Sequence, residues 1–420
     1  MLRQIKTINA MTLAFVLAAI AISTTLTDTT LNRNAFYLSA LIAVIALLVR
    51  RPHSIPREAA MVALGVFIVG LSQLIWHWRF PAVSMMEADE DYLTTSLRLI
   101  AGAALILALG TLRDSWGRKT LLTVKVLIVV GFLYTSYMGL YYYLKTPDVR
   151  LQIKTVSTMT AYIYVLQSLL TIYVIASLNL RRKSLAIAVV VLITIGLILL
   201  TETRSSLLLY PIILLMMFGR RHHFSLRTMA IACVITLLAA AITSHFFSKA
   251  TERLIGTAAE LGNYQKGDGN SSLGSRISMW KAGVDAILHH PNGQSTATRL
   301  ASTTDYINRH EGGNPEALRN LVFHLHNDVI DASSLQGLIG LTAVVLFYLL
   351  TFYASRLGTT ARPILLLVLL PTVVIGMVDT LFIDQLDVAA GHLPVSVAFS
   401  SRQRRPKRKI INMKEAQWLF

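Results

Sequence analysis

Within Leu321-Val-Phe-His324-Leu-His326-Asn327-Asp328, two imidazoles, an amide and a carboxylate crowd into a short run, followed by Gly337-Leu-Ile-Gly340. Imidazole changes charge near neutral pH, so such a cluster is either a chemical site or a loop end facing water. His324-Leu-His326 could also ligate a metal, but no helical His/Glu pair accompanies it to complete a zinc site. A long polar segment ends at this cluster and an apolar run, Leu338 to Ala354, begins just beyond it. The histidines therefore lie where an extramembrane loop re-enters the bilayer, a place where polar groups are costly and tend to be functional. The glycines after them permit close helix approach.

Two arginines suggest a partner chemistry. Arg204 stands between two adjacent apolar runs with Glu202 nearby, and Arg276 opens a helix after a glycine-rich turn. A guanidinium keeps its charge and forks onto phosphate oxygens, so two of them on one membrane face suit a pyrophosphate. At a helix start, Arg276 would be joined by free backbone N–H groups. Taken alone, Arg204 is better explained as snorkelling to lipid headgroups and Arg276 as solvated; together with the histidine cluster, on one side of the membrane, they point to a site.

These residues need a scaffold, and composition says which. Of the 420 residues 54% are hydrophobic and 15% charged, and apolar runs of membrane-spanning length recur along the chain. The net charge of +17 could suggest nucleic acid, but the basic residues come in short clusters between apolar runs, as membrane topology requires. Cys233, the single cysteine, rules out a disulfide framework and a zinc site of several cysteines. Neither a phosphate-binding Gly-x-x-x-x-Gly-Lys loop nor a His-Glu-x-x-His site occurs. The fold expected is all-α, a polytopic transmembrane bundle.

Spans are expected at about Ile8–Leu26, Ala35–Val49, Ala59–Trp76, Thr95–Leu112, Leu121–Leu144, Val156–Leu178, Ser184–Leu200, Ser205–Phe218, Met229–Phe247, Leu338–Ala354 and Pro363–Ile383. The first follows Arg3 and Lys6 and is read as an uncleaved helix rather than a signal peptide. Basic clusters follow the second, fourth, sixth and eighth spans, while the intervening loops carry the acids. That alternation puts Glu202, Arg204 and the segment of about 248–325 on the outer side. This segment is too long for a simple connection and reads as a small helical cap. Its helix is expected to begin at Ser275-Arg276 and to present Ile277, Trp280, Val284, Ile287 and Leu288 on one face. The resulting division is 1–247 for the first nine spans, 248–325 for the cap, 326–383 for the last two spans opening on the histidine motif, and 384–420 for a basic tail.

The sequence resembles the O-antigen ligases, within the larger family of O-antigen ligases and polymerases, over nearly the whole chain through about Asp384. The family pattern of His, then Asn, Ser or Gln, nine residues, Gly, two residues and a small residue is met by His326, Asn327, Gly337 and Gly340. Its Arg-x-x-x-Leu element is met by Arg204 and Leu208, Leu273-Gly-Ser-Arg276 resembles its loop arginine, and Gly376-Met-Val-Asp379 resembles its late acidic residue. The resemblance implies glycosyl transfer without metal, nucleotide or other cofactor, in the bacterial inner membrane, with the site on the periplasmic side. The donor would be O-antigen on undecaprenyl pyrophosphate and the acceptor a sugar hydroxyl of lipid A–core. Under that implication His326 is the candidate base, Asn327 could orient it, His324 and Asp379 support it, and Arg204 and Arg276 hold the pyrophosphate. Two alternatives stay open: an O-antigen polymerase with the same donor, or a flippase for lipid-linked oligosaccharide.

The family pattern carries a twelfth span where this chain has about eleven. Beyond Asp384 no apolar run is long enough to cross, and Arg402-Gln-Arg404-Arg405-Pro-Lys407-Arg408-Lys409 would lie outside against the positive-inside bias. Three explanations remain: a tail on anionic headgroups, a last span that fails to insert, or a reading frame that shifts shortly after Gln385.

Overall fold

Long apolar runs become helices because the bilayer offers backbone groups no other partners. The computed structural model describes residues 2–81, 87–113, 116–147, 149–219, 256, 259–357 and 362–382. The expected ninth span with Cys233, the basic cluster at 220–227 and the chain from 383 onward, with its basic tail, lie outside them. Eight helices come first: α1 Leu2–Thr24, α2 Thr29–Arg50, α3 Arg57–Arg79, α4 Glu87–Thr111, α5 Arg118–Lys145, α6 Ser157–Ser177, α7 Lys183–Thr201 and α8 Arg204–Gly219. Six more follow: α9 Ser272–His289, α10 Thr296–His310, α11 Pro315–Asn320, α12 Asp328–Gln336, α13 Leu338–Leu357 and α14 Arg362–Gly376. Among the described residues seven helices are long and apolar enough to cross a membrane, and none forms a strand. The chain is an all-α, multi-pass membrane protein.

Helix α6 runs through the middle, buried on nearly every side. A helix so enclosed needs its polar groups satisfied by neighbours. Gln167 donates to the Ile22 carbonyl of α1 at 2.8 Å, and the Ser168 hydroxyl meets Thr194 of α7 at 2.7 Å and Tyr210 of α8 at 2.6 Å. Around it, α3 packs on α4 and α13, α1 on α2 and α5, and α14 on α6 and α8. The starts of α4, α6, α8 and α13 and the finishes of α7 and α14 gather at one end of this bundle.

Over that end lies a small group, α9–α11, with its own core of Met279, Ala282, Ile307, Ala317, Leu321 and Leu325. Two expectations are corrected here. Helix α9 begins earlier than Ser275, at Ser272, because the Ser271 hydroxyl caps it by accepting from the Gly274 N–H. Its buried face is made of small residues, Gly274, Ser275, Ser278, Ala282, Gly283 and Ala286, with Met279. Ile277, Trp280, Val284 and Leu288 do share one face, but it is only partly covered, with Val284 47% and Leu288 74% exposed; the face of small residues is the buried one. Small residues win that face because α9 must approach α12 closely: a methyl group on Gly283 would meet Ile330 and Leu325.

The second correction concerns the way back into the bilayer. The histidine motif does not open a span directly, since the short buried helix α12 comes between. Gly337 ends it at φ +65, where a side chain would strike the Pro291 carbonyl, and the Leu338 N–H donates to that carbonyl at 2.9 Å. The end of α9 is thereby fastened to the start of α13.

Candidate active site

The polar groups at this end are set by helix termini. Asn327 is the N-cap of α12, its Oδ1 accepting from the N–H groups of Val329 at 3.0 Å and Ile330 at 3.1 Å. Its Nδ2 donates to the Met377 carbonyl at 2.9 Å, tying the cap to the chain leaving α14. Asp328 continues the tie by accepting from the N–H groups of Leu381 at 2.7 Å and Phe382 at 3.2 Å. Gly376 has no side chain because one would run into the Asp328 carboxylate. Together these contacts turn the chain after α14 so that Asp379, 4% exposed, points at the histidines.

His326 Nδ1 lies 2.9 Å from Asp379 Oδ1. A carboxylate only accepts, so Nδ1 carries the proton and Nε2 is left with a free lone pair. The side chain that orients the ring is therefore Asp379 and not Asn327, whose amide is engaged with backbone on both sides. His326 stands at φ +50, a conformation costly for a residue with a side chain. Contacts on both sides hold it there: its N–H donates to His324 Nδ1 at 3.2 Å, and Trp280 of α9 donates its indole N–H to the His326 carbonyl at 3.2 Å.

His324 Nδ1 is thus an acceptor, which places its proton on Nε2, 4.0 Å from Asp379 Oδ1. Burial, and after it the neighbouring His326, lower the His324 pKa to about 4, so this ring is neutral at physiological pH. Burial alone would raise the Asp379 carboxyl, but the hydrogen bond from His326, with the electrostatics of the two imidazole rings and the nearby Arg276 guanidinium, holds it well below the usual carboxylate range. The ligand atoms of His324, His326 and Asp379 lie within 4.8 Å of one another, compact enough for a cation. A cation taken there would compete with the His326–Asp379 bond.

Arg276, in the first turns of α9 and half-buried, is near enough for its charge to act on Asp379. Arg204 is engaged otherwise. Its Nη2 pairs with Glu260 Oε1 at 2.7 Å, while Glu260 Oε2 accepts the Leu273 N–H at the start of α9 at 3.1 Å. Glu202, the acid beside Arg204 in sequence, lies instead 3.9 Å from Arg150. Ser205, next to Arg204, meets the Tyr162 hydroxyl of α6 at 2.9 Å. One carboxylate thus links Arg204 to the helix that carries Arg276. Glu260 and Tyr162 were not singled out in the sequence, and Trp280 only as part of an apolar helix face, for they lack a motif and meet their partners only through the fold.

Comparison with known proteins finds two similarities. Residues 188–345 match the family model for O-antigen ligase, a stretch that holds Arg204, Arg276, His324, His326 and Asn327 and stops short of Asp379. The chain is 25% identical over 338 residues to the O-antigen ligase of Escherichia coli strain K12, covering 78% of each chain. A multi-pass helical bundle, an imidazole held by a carboxylate, two arginines at one end and these matches all point the same way: the chain is similar to O-antigen ligases.

Proposed function

We propose that this protein is a membrane glycosyltransferase that moves O-antigen from undecaprenyl pyrophosphate to a sugar hydroxyl of lipid A–core. The reaction takes place on the periplasmic side of the bacterial inner membrane, beneath a cap formed by about 248–325. The observation that carries this reading is the Asp379–His326 pair beside Arg276. His326 Nε2 takes the proton from the acceptor hydroxyl as its oxygen attacks the anomeric carbon of the donor sugar. The bond from that carbon to the pyrophosphate oxygen breaks on the opposite face, so the configuration inverts. Asp379 steadies the imidazolium that forms, as a carboxylate behind a catalytic histidine does. Negative charge grows on the leaving pyrophosphate, where Arg276 and Arg204 can receive it, Arg204 exchanging Glu260 for a phosphate oxygen. The leaving group is already an activated pyrophosphate, and no step of this mechanism calls on ATP or a metal.

Transfer from lipid-linked glycan to purified lipid A–core, with and without chelator, tests the reading. His326→Ala should lower transfer by about 10²–10⁴-fold at equal protein, the usual loss for a general base. Equal activity in that variant rules out His326 as the base. Product formed only on a second lipid-linked glycan would assign a polymerase instead.

A further inference from the structure

The peptide between the two histidines is anchored from below. The Leu325 N–H donates to Asp331 Oδ1 at 3.0 Å, and the same oxygen takes Arg299 Nη1 of α10 at 2.8 Å. Asp331 Oδ2 accepts the Tyr92 hydroxyl from α4. All three side chains are almost wholly withdrawn from water. Tyr92 is itself fixed from behind by Trp76, ring centroids 4.9 Å apart, whose indole N–H donates to the Gln294 carbonyl at 2.8 Å. One carboxylate therefore joins the α9–α11 group, the start of α4 and the chain that carries both imidazoles.

A buried ion pair adds little net stability over well-packed apolar groups of the same volume, so what it supplies is a fixed geometry. That geometry is needed here, because His326 sits at φ +50 and a freed Leu325 peptide could relax toward ordinary backbone angles. Such a relaxation would turn the His326 ring off Asp379. We propose that Asp331, clamped by Arg299 and Tyr92, is a positioning residue that holds the His-x-His peptide so that His326 keeps its bond to Asp379. The proposal rests on the reading of His326 as the base, and one readout below does not depend on it.

The test uses the full-length protein in detergent with Asp331→Asn, Arg299→Met, Arg299→Lys and Tyr92→Phe. Rates are taken per folded molecule, thermal stability is recorded alongside, and histidine-labelled protein reports the His326 Nδ1–H resonance by NMR. Asp331→Asn and Arg299→Met should lower kcat about 10²-fold with KM for the lipid-linked glycan little changed, as a misplaced catalytic group does. In both the Nδ1–H resonance should weaken or vanish. Arg299→Lys, which keeps the charge, should recover much of the loss, and Tyr92→Phe should fall between. Should Asp331→Asn fail to accumulate, Arg299→Met and Tyr92→Phe decide. Wild-type kcat with an unaltered resonance in Asp331→Asn, Arg299→Met and Tyr92→Phe overturns the proposal, as does a lowered melting temperature in them with kcat per folded molecule unchanged. A lost resonance in Arg299→Met, together with full transfer by His326→Ala, would support the positioning while removing the base.

Discussion

Substituting Asp379 by Asn would keep the shape of the side chain but offer His326 Nδ1 a group that can donate as well as accept. The ring could then settle with its proton on Nε2, the atom that must be free. Asp379→Asn should therefore cost about 10²–10⁴-fold in kcat, as the loss of an orienting carboxylate does elsewhere, with protein abundance held. For the cations, Arg204→Lys and Arg276→Lys keep charge and lose the planar fork. Transfer should fall sharply in each, and full activity in both would leave only a diffuse electrostatic role. His324 gives a prediction in pH. Its folded pKa of about 4 lies below the unfolded value near 6.5, so the unfolded chain takes up its proton first as pH falls. Stability at this position is complete above pH 6.5 and is lost between there and about pH 4. Melting temperature measured across that window should drop, and His324→Gln should flatten the drop. Both histidines and both arginines could be named from short motifs. Their partners could not, because Asp379 comes 53 positions after His326 and Glu260 comes 56 after Arg204, separations that leave no local trace. Asp379 was reachable only through family resemblance.

Among the elements, the spans were legible and the packing of the group above them was not. A run of apolar residues long enough to cross has one way to satisfy its backbone, so α2 to α7 and α13 fall where hydrophobicity put them. The apolar face of helix α9 could be read from its periodicity, but not that its most buried face would be the one of small residues. There the close approach to α12 selects for absence of bulk. Gly283→Val should therefore push α9 away from Leu325 and Ile330 and lower the melting temperature, while Leu288→Ser should be nearly neutral. The opposite ranking would place the tighter packing on the face of large residues. Helix α12 escaped notice because it is short and its buried residues include Asp328, Asp331, Ser333, Ser334 and Gln336, which carry no apolar periodicity. Its cap gives it away only in retrospect. Asn327→Ala should destabilise by about 1 kcal/mol through the lost cap, and Asn327→Ser should restore most of it. If Asn327→Ala instead lowers kcat with the melting temperature unchanged, its amide acts on substrate.

At the scale of the molecule, the site is shared between parts far apart along the chain. Trp76 and Tyr92 of the early helices meet Gln294, Arg299 and Asp331, and Asp379 closes the arrangement from beyond α14. Contacts of this range tie the α9–α11 group to the bundle, and both should lose structure in one thermal transition. Limited proteolysis should find no stable fragment carrying α9–α11 alone.

The position of Asp379 after α14 also has a bearing on biosynthesis. In a nascent chain His326 is made 53 residues before Asp379, the carboxylate it meets in the folded protein. Until α14 is threaded into the bilayer, the imidazole has no fixed proton and the Asp328 clamp has nothing to hold. On the proposed mechanism the chain should therefore gain activity only once α14 has been inserted. A chain stopped after Leu357 should accumulate in the membrane with its α9–α11 segment open to protease and without any transferase activity.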